Sequence, residues 1–392
     1  MGLILVANPG SASRKYALFD SALSLLVSVH FEFVDNKPIC TIHLPDGTSH
    51  EVPLTFTDVS DAAAHVESIL RTEKLLADTD VIERIGLRVV APSAYFLTNH
   101  VLTEEVIAKL ESLRIHAPLH IGATLDEFHI LRDAHPDAMI VGVSDSAFHA
   151  TKPNYAWNYG IDIHDADQLD IKRFGYHGIS VAASIDSLWS SGKLPSKVVV
   201  CHLGSGSSVT GVFHGRSVDT SMGYSPLEGV VMASRSGSID ITAAHALKRG
   251  LNLDDEALEE YLNHKGGLIG LGNSDDIREL ISREADGDHI AHLALTTLIH
   301  TIHKAIGAMI VALNGCDMIV FTGTVGERSA ILRKRIAAHL EFMDFILDGE
   351  ANEACTNPTT MTFISQKAQS RPIVVIPTDE AREIASHTQR IS

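Results

Sequence analysis

Apolar positions along the chain follow two rhythms. Short continuous runs at 3–7, 137–143, 198–202, 318–322 and 373–376 predict buried strands, each followed by a polar or glycine-bearing loop. Stretches with apolar residues at threes and fours, at 61–76, 103–113, 179–190 and 254–263, predict amphipathic helices. The longest such stretch is 289–314, where Leu293, Leu295, Leu298, Ile299, Ile302, Ile306, Ile310 and Leu313 make a wide apolar face, expected in a core or at a subunit interface. Strands alternating with helices predict an α/β chain.

One local pattern occurs twice. The run at 3–7 leads into NPGSAS and then KYALFD, a strand, tight turn and second strand. The run at 198–202 leads into GSGSS and VTGVFHG, so that Gly10, Ser11, Ser13 and Phe19 match Gly204, Ser205, Ser207 and Phe213 at constant offset. Repetition at about half the chain length predicts a duplicated domain. A chain of 392 residues is also longer than one core usually extends. The expected domains are 1–147 and 148–382, with a C-terminal helix at 383–392 completing the first.

Composition narrows the class of partner. With 45% hydrophobic and 20% charged residues the chain can bury large cores. No continuous apolar run nears the roughly 20 residues of a membrane span, and MGLILVANPGSAS lacks the features of a signal peptide, so a cytoplasmic, membrane-free protein is expected. The formal charge of −18 argues against nucleic acid or an anionic membrane as partner, and requires that any anionic small molecule meet a local cluster of positive charge. Cys40, Cys201, Cys316 and Cys355 show no CxxC spacing and are expected to be buried thiols. The 22 histidines form no HExxH pattern.

The candidate chemistry lies in loops. The segment 215–240, GRSVDTSMGYSPLEGVVMASRSGSID, is too polar for a core, and the small neighbours of Arg235 leave its planar fork able to meet a carboxylate or phosphate. The two Gly/Ser hairpins can cradle phosphate through backbone N–H groups and hydroxyls, or serve only to turn the chain. FTGTVGERS follows a strand and suits close approach of backbone to a nucleotide, while NSDDIR offers either nucleotide contacts or a helix cap near Asp276. Asp145 and Glu380 each follow an apolar run, at strand ends where α/β sites lie.

Taken in order, NPGSASRKYALFD, KRFGYHGIS, HLGSGSS, the 215–240 block, FTGTVGERS and IPTDEA resemble the acetate kinase family, the short-chain carboxylate kinases of the acetate and sugar kinase/Hsp70/actin superfamily. The resemblance spans nearly the whole chain. It implies two duplicated ribonuclease-H-like domains with an active site in the cleft between them, a homodimer, and reversible transfer of phosphoryl from ATP to acetate, giving acetyl phosphate and ADP. Mg²⁺ is implied as cofactor, with Mn²⁺ able to substitute. Carried over by motif, Arg88, His120, Asp145, His177 and Arg235 are the catalytic set. Arg88, Val90, Leu119, Tyr176 and Pro226 take the carboxylate and its acyl chain, and Asn8 and Glu380 the metal. Ser11, Ser13, Lys15, His202, Gly204, Ser205, Gly206, Asp276, Arg278, Gly323, Gly326 and Glu327 take the nucleotide and its phosphates. Two arginines, a histidine and Mg²⁺ suit phosphoryl transfer, which depends on positioning and charge neutralisation.

The chain departs from the family pattern in places. Ala91-Pro92-Ser93 stand where His-Gly-Gly is usual, and Ile121-Gly122 where Asn-Pro is, both beside the acyl pocket. Ser205, Ser238, Thr324 and Arg328 alter the nucleotide side. A propionate or butyrate kinase, a pyrophosphate-dependent relative and a non-catalytic nucleotide sensor are therefore the alternative readings.

Overall fold

A computed structural model describes residues 2–10, 13–34, 37–54, 56, 58–116 and 118–391. They form two compact units, Met1–Ala147 with Asp379–Ser392, and Phe148–Thr378.

The first unit is built on a sheet of β1 (Gly2–Pro9), β2 (Ser13–Phe19), β3 (Leu25–Val34), β4 (Lys37–His43), β5 (Ser49–Val52), β6 (Val81–Val89), β7 (His100–Val101) and β8 (Met139–Ser144). Its order is β5-β4-β3-β2-β1-β6-β8-β7. The strands from β1 to β5 pair antiparallel, while β1, β6 and β8 run parallel. Strands covered on both faces read as unbroken apolar runs, which is why β1 and β8 stand out in the sequence. Ile121, Leu125 and Phe128 of the helix Pro118–Ala134 join Leu5, Ala7, Ile85 and Leu87 in one core, and the helix Glu380–Arg390 packs on β1, β6 and β8.

The second unit repeats the plan with β9 (Lys197–Leu203), β10 (Ser207–Phe213), β11 (Arg216–Thr220), β12 (Met318–Thr322), β13 (Thr362–Phe363) and β14 (Ile373–Val375). The order is β11-β10-β9-β12-β14-β13, with β9, β12 and β14 parallel. The series β3-β2-β1-β6-β8 and β11-β10-β9-β12-β14 are therefore the same arrangement, three antiparallel strands followed by two parallel ones. The fold is α/β with a duplicated ribonuclease-H-like sheet. Val181, Ile185 and Leu188 of the helix Gly178–Ser190 pack with Val198, Val200, Val320 and Val374, and the 24-residue helix His289–Ala312 packs on β9, β10 and β11. That helix is long and apolar enough to cross a membrane, but Leu295, Leu298, Ile302, Ile306 and Met309 are buried within the unit.

Two sequence expectations need correction. The segment 215–240 is not a wholly polar loop: Arg216–Thr220 is a strand, and Met222, Val230, Val231, Met232 and Ala233 are buried. Its polar residues enter the interior because they find partners, Ser217 Oγ with His149 Nδ1 at 2.9 Å and Thr220 Oγ1 with Thr210 Oγ1 at 2.9 Å. The helix expected at 61–76 stops at Thr72, and Lys74 takes a left-handed φ of 60°, so the last apolar residues pack from a turn. All four cysteines are buried and free, as expected.

Candidate active site

In the first unit the parallel register brings distant residues to one edge. Ala7 pairs with Leu87, and Val89 with Ser144, so Asn8, Arg88 and Asp145 emerge at adjacent strand ends. Arg88 donates from Nη2 to Asp145 Oδ2 at 2.8 Å and from Nη1 to Asn8 Oδ1 at 3.2 Å. Asn8 Nδ2 donates to Glu380 Oε2 at 2.9 Å, from the start of the helix Glu380–Arg390. Asp145 is 2% exposed and Arg88 20% exposed. Burial disfavours the guanidinium's charge, but Asp145 and Glu380 outweigh it and raise the Arg88 pKa above its ordinary value. The cation is thereby fixed in place, and its buried Nε has no hydrogen-bond partner among the described residues. An oxyanion is the ligand such unspent donors suit.

Around this group, Lys15 pairs across the β1–β2 hairpin with Asn8 and is exposed; Ser13 begins β2. Val90 is half-buried just after β6. Ala91, Pro92 and Ser93 are buried, and Ser93 Oγ caps the turn Ala94–Leu97 by accepting from Tyr95 N, so the altered loop is well anchored. Ser11 lies outside the described residues, as do the side chains of Leu119 and His120 on the helix Pro118–Ala134. Asn8 and Glu380 offer an amide oxygen and a carboxylate, held beside each other by the 2.9 Å bond that Asn8 Nδ2 donates to Glu380 Oε2. Hard oxygen donors in this small number fit a mostly hydrated Mg²⁺. Among the described residues no cluster of three or more His, Cys, Asp or Glu would suit a metal held by protein alone.

The second unit gathers its residues around the Gly204–Gly206 turn between β9 and β10. His177 sits at φ 59°, a left-handed conformation uncommon outside glycine, and so projects its ring from the start of the helix Gly178–Ser190. Its Nδ1 lies 3.0 Å from Ser208 Oγ, and its ring lies 4.3 Å from that of His202. A Cβ placed on Gly206 would stand 3.1 Å from His177 Nε2 and 3.3 Å from Arg235 Nη1. Both side chains therefore close over the same turn, and a residue larger than glycine would crowd them. Ala233 N donates to Ser205 O at 3.1 Å and Met232 N to Arg235 O at 3.1 Å, which fastens the Arg235 segment to the turn.

Gly323 completes this region. Its φ is 80°, and a Cβ there would meet Leu203 O at 2.7 Å and His202 Nε2 at 3.2 Å, so only glycine brings the helix Gly323–Arg328 this close. Gly326 and Glu327 are buried on that helix, and Glu327 Oε1 accepts from Thr378 N at 2.9 Å. A small cavity lined by Gly204, Ser207, Met232, Leu268, Ile277 and Val325 joins this turn to the start of the helix Ile277–Ala285. Flanking Ile277, Asp276 caps that helix by accepting from Arg278 N at 2.8 Å, and the Arg278 side chain, 90% exposed, pairs with the Asp276 carboxylate. The cap reading of NSDDIR thus describes its local structure. Tyr176 is buried with its hydroxyl donating to Tyr224 O at 2.7 Å, and Pro226 is buried in the same segment. A larger groove of about 450 Å³, lined by Tyr155, Arg173, Glu228 and Lys304 among others, contains none of the expected site residues.

Sequence reasoning passed over Ser208 and Ser180, although both lie within quoted motifs; Ser180 Oγ is 2.7 Å from His202 Nδ1. Thr378 was likewise passed over within IPTDEA, and Arg333 carried no local signal.

The chain matches the acetokinase family over residues 3–386. It is 37% identical to an acetate kinase of Clavibacter michiganensis, covering 98% of each chain, and 34% identical to one of Bacillus cytotoxicus, covering 100% of this chain and 99% of the relative. Among solved structures, a propionate kinase from Francisella tularensis superposes with a TM-score of 0.89 at 31% identity over 100% of both chains, and Porphyromonas gingivalis acetate kinase with 0.86 at 29% over 99% of both.

Proposed function

Because the chain belongs to the acetokinase family, we propose that it transfers a phosphoryl group reversibly between ATP and acetate. The observation that carries this reading is the convergence of His177 Nε2 and Arg235 Nη1 over Gly206, an anion-neutralising pair on a Gly/Ser turn. Arg88 takes the acetate carboxylate, with Asp145 and Asn8 holding its guanidinium in register. Val90, Leu119, Tyr176 and Pro226 line the acyl side, and His120 assists. The turn Gly204–Gly206, with Ser11, Ser13, Lys15 and His202, takes phosphates; Asp276, Arg278, Gly323, Gly326 and Glu327 serve the nucleoside side.

A carboxylate is already ionised at neutral pH, so no general base is required. One acetate oxygen attacks the γ-phosphorus, a new P–O bond forms, and the bond to the ADP oxygen breaks with its electron pair remaining on ADP. His177 and Arg235 meet the charge that spreads over the transferring group. Asn8 and Glu380 would hold Mg²⁺, or Mn²⁺ in its place, which when bound supplies positive charge to the phosphate oxygens. The protein acts as a cytoplasmic homodimer on small molecules alone.

A hydroxamate assay with acetate, ATP and Mg²⁺ tests this reading; absence of acyl phosphate from acetate, propionate and butyrate alike would refute it, and leave a nucleotide sensor. The likeness to the Francisella propionate kinase favours a second reading, propionate as acceptor. A higher kcat/KM for propionate than for acetate would establish it, and product formed with pyrophosphate in place of ATP would reassign the donor.

A further inference from the structure

Arg333 is fully buried, and the largest side chain so placed among the described residues. Nε donates to Asn352 Oδ1 at 2.8 Å, Nη1 to Gly326 O at 2.9 Å and Glu327 O at 2.8 Å, and Nη2 to Asn352 O at 2.9 Å and Cys355 O at 2.6 Å. All five N–H groups are thus spent, on neutral acceptors and without a carboxylate. Burial lowers its pKa from the ordinary value, as expected for a cation taken from water into a site with no carboxylate partner.

A leucine would fill this space without removing a charge from water. What the guanidinium does instead is set by its partners. Two acceptors are the carbonyls near the end of the helix Gly323–Arg328, and three belong to the helix Gly349–Ala354 and the cysteine that follows it. The fork ties one to the other, and Asn352 Nδ2 reinforces the tie by donating to Ala330 O at 2.9 Å. The hydrogen bonding continues beyond Arg333. Glu327 Oε1 accepts from Thr378 N, Thr378 Oγ1 lies 3.1 Å from Ser180 Oγ, and Ser180 Oγ lies 2.7 Å from His202 Nδ1. The ring of His202 in turn lies against that of His177, tilted by 33° with centroids 4.3 Å apart. One continuous set of contacts therefore runs from the buried arginine, through the helix Gly323–Arg328, to the histidine pair over the phosphate turn.

We infer that Arg333 is a positioning residue for the donor nucleotide, fixing the helix Gly323–Arg328 and, through Glu327, Thr378 and Ser180, the orientation of His202. The inference rests on the nucleotide role given to that helix under the proposed function. It assigns the work to the geometry of the fork, since a lysine would keep the charge but reach fewer of the five acceptors.

The test compares Arg333→Lys and Asn352→Ala with the parent. Calorimetry with ADP is read beside steady-state kinetics with ATP and acetate varied separately. For Arg333→Lys, ADP Kd and ATP KM rise about tenfold while acetate KM stays within about twofold. Asn352→Ala removes the acceptor of Nε together with the Nδ2 bond to Ala330 O and shifts ADP Kd in the same direction by about threefold, so the inference stays testable if the lysine variant does not fold. Unchanged ADP Kd in a folded variant, with only a lower melting temperature, makes Arg333 a strut and overturns the inference. A parent that binds ADP but makes no acyl phosphate would defeat the functional reading alone, because the calorimetric comparison still decides the role of Arg333. A parent that does not bind ADP overturns both.

Discussion

Replacing Arg88 separates the two things its guanidinium does. In Arg88→Ala, Asp145 loses its cation at 2.8 Å while remaining 2% exposed, and Asn8 loses a donor at 3.2 Å. Removing one partner of a buried ion pair costs about 3–5 kcal/mol, because the other charge stays in a medium that solvates it poorly. For a unit of this size, at about 2–4 °C per kcal/mol, the melting transition of the first unit falls by roughly 6–20 °C. Arg88→Lys retains a charge for Asp145, so its stability loss is held to about 1 kcal/mol, the worth of the bond to Asn8. A single ammonium, however, cannot engage Asp145 and Asn8 and still present a planar fork to a carboxylate. Activity of the lysine variant therefore falls about 100-fold, in line with the loss of a preorganised charged donor. Scanning calorimetry reads the first quantity, and hydroxamate initial rates at saturating ATP the second. A lysine variant that keeps its rate within about threefold of the parent refutes the assignment of the fork to the substrate. An alanine variant with an unchanged melting temperature refutes the account of the buried pair.

Other expectations are more direct. Arg235→Ala lowers kcat about 100-fold, because it removes a charged donor to the transferring group; a loss of only a few fold removes it from the site. Ser208→Ala removes the hydroxyl 3.0 Å from His177 Nδ1 and lowers kcat about tenfold with ATP KM unchanged, whereas a raised KM with kcat unchanged would place the serine in binding only. Glu127 is buried, which pushes its carboxyl up to about 6 from an ordinary 4.5 despite the hydrogen bond from Tyr16 and the charge of Arg14. A carboxyl raised in the folded state contributes stability that is full below about pH 4.5 and is lost as the pH rises through about 6. Between pH 7.5 and pH 5 this gain is worth about 1 kcal/mol, and Glu127→Gln abolishes it. Denaturation midpoints with the same pH dependence in both proteins would refute the titration.

The sequence by itself determined the α/β class and the duplication, and it supplied the candidate chemistry of the site. Strands such as β9, β12 and β14 are buried on both faces and leave unbroken apolar runs, while the repeated Gly/Ser hairpin marks corresponding positions of the two sheets. Strands β3 and β4 did leave an alternating signal, Val27, Val29 and Phe31 and then Cys40 and Ile42 being buried every second residue, and it was passed over; only the short, mostly exposed β5 has nothing local to distinguish it from loop. The polar strand Arg216–Thr220 was hidden for a related reason: hydroxyls that look exposed in sequence can be buried once a partner is supplied from elsewhere. Only the tertiary structure decided which residues stand together. Asn8, Arg88, Asp145 and Glu380 are separated by up to 372 positions, and meet because β1, β6 and β8 are parallel neighbours and the last helix packs beside them. Arg333 gives no warning at all, since an arginine in an amphipathic stretch reads as surface. Its burial is set by five carbonyl and amide oxygens that other segments fold around it. Local patterning fixes periodicity and residue chemistry, but satisfaction of buried polar groups depends on long-range partners, and those exist only in the folded chain.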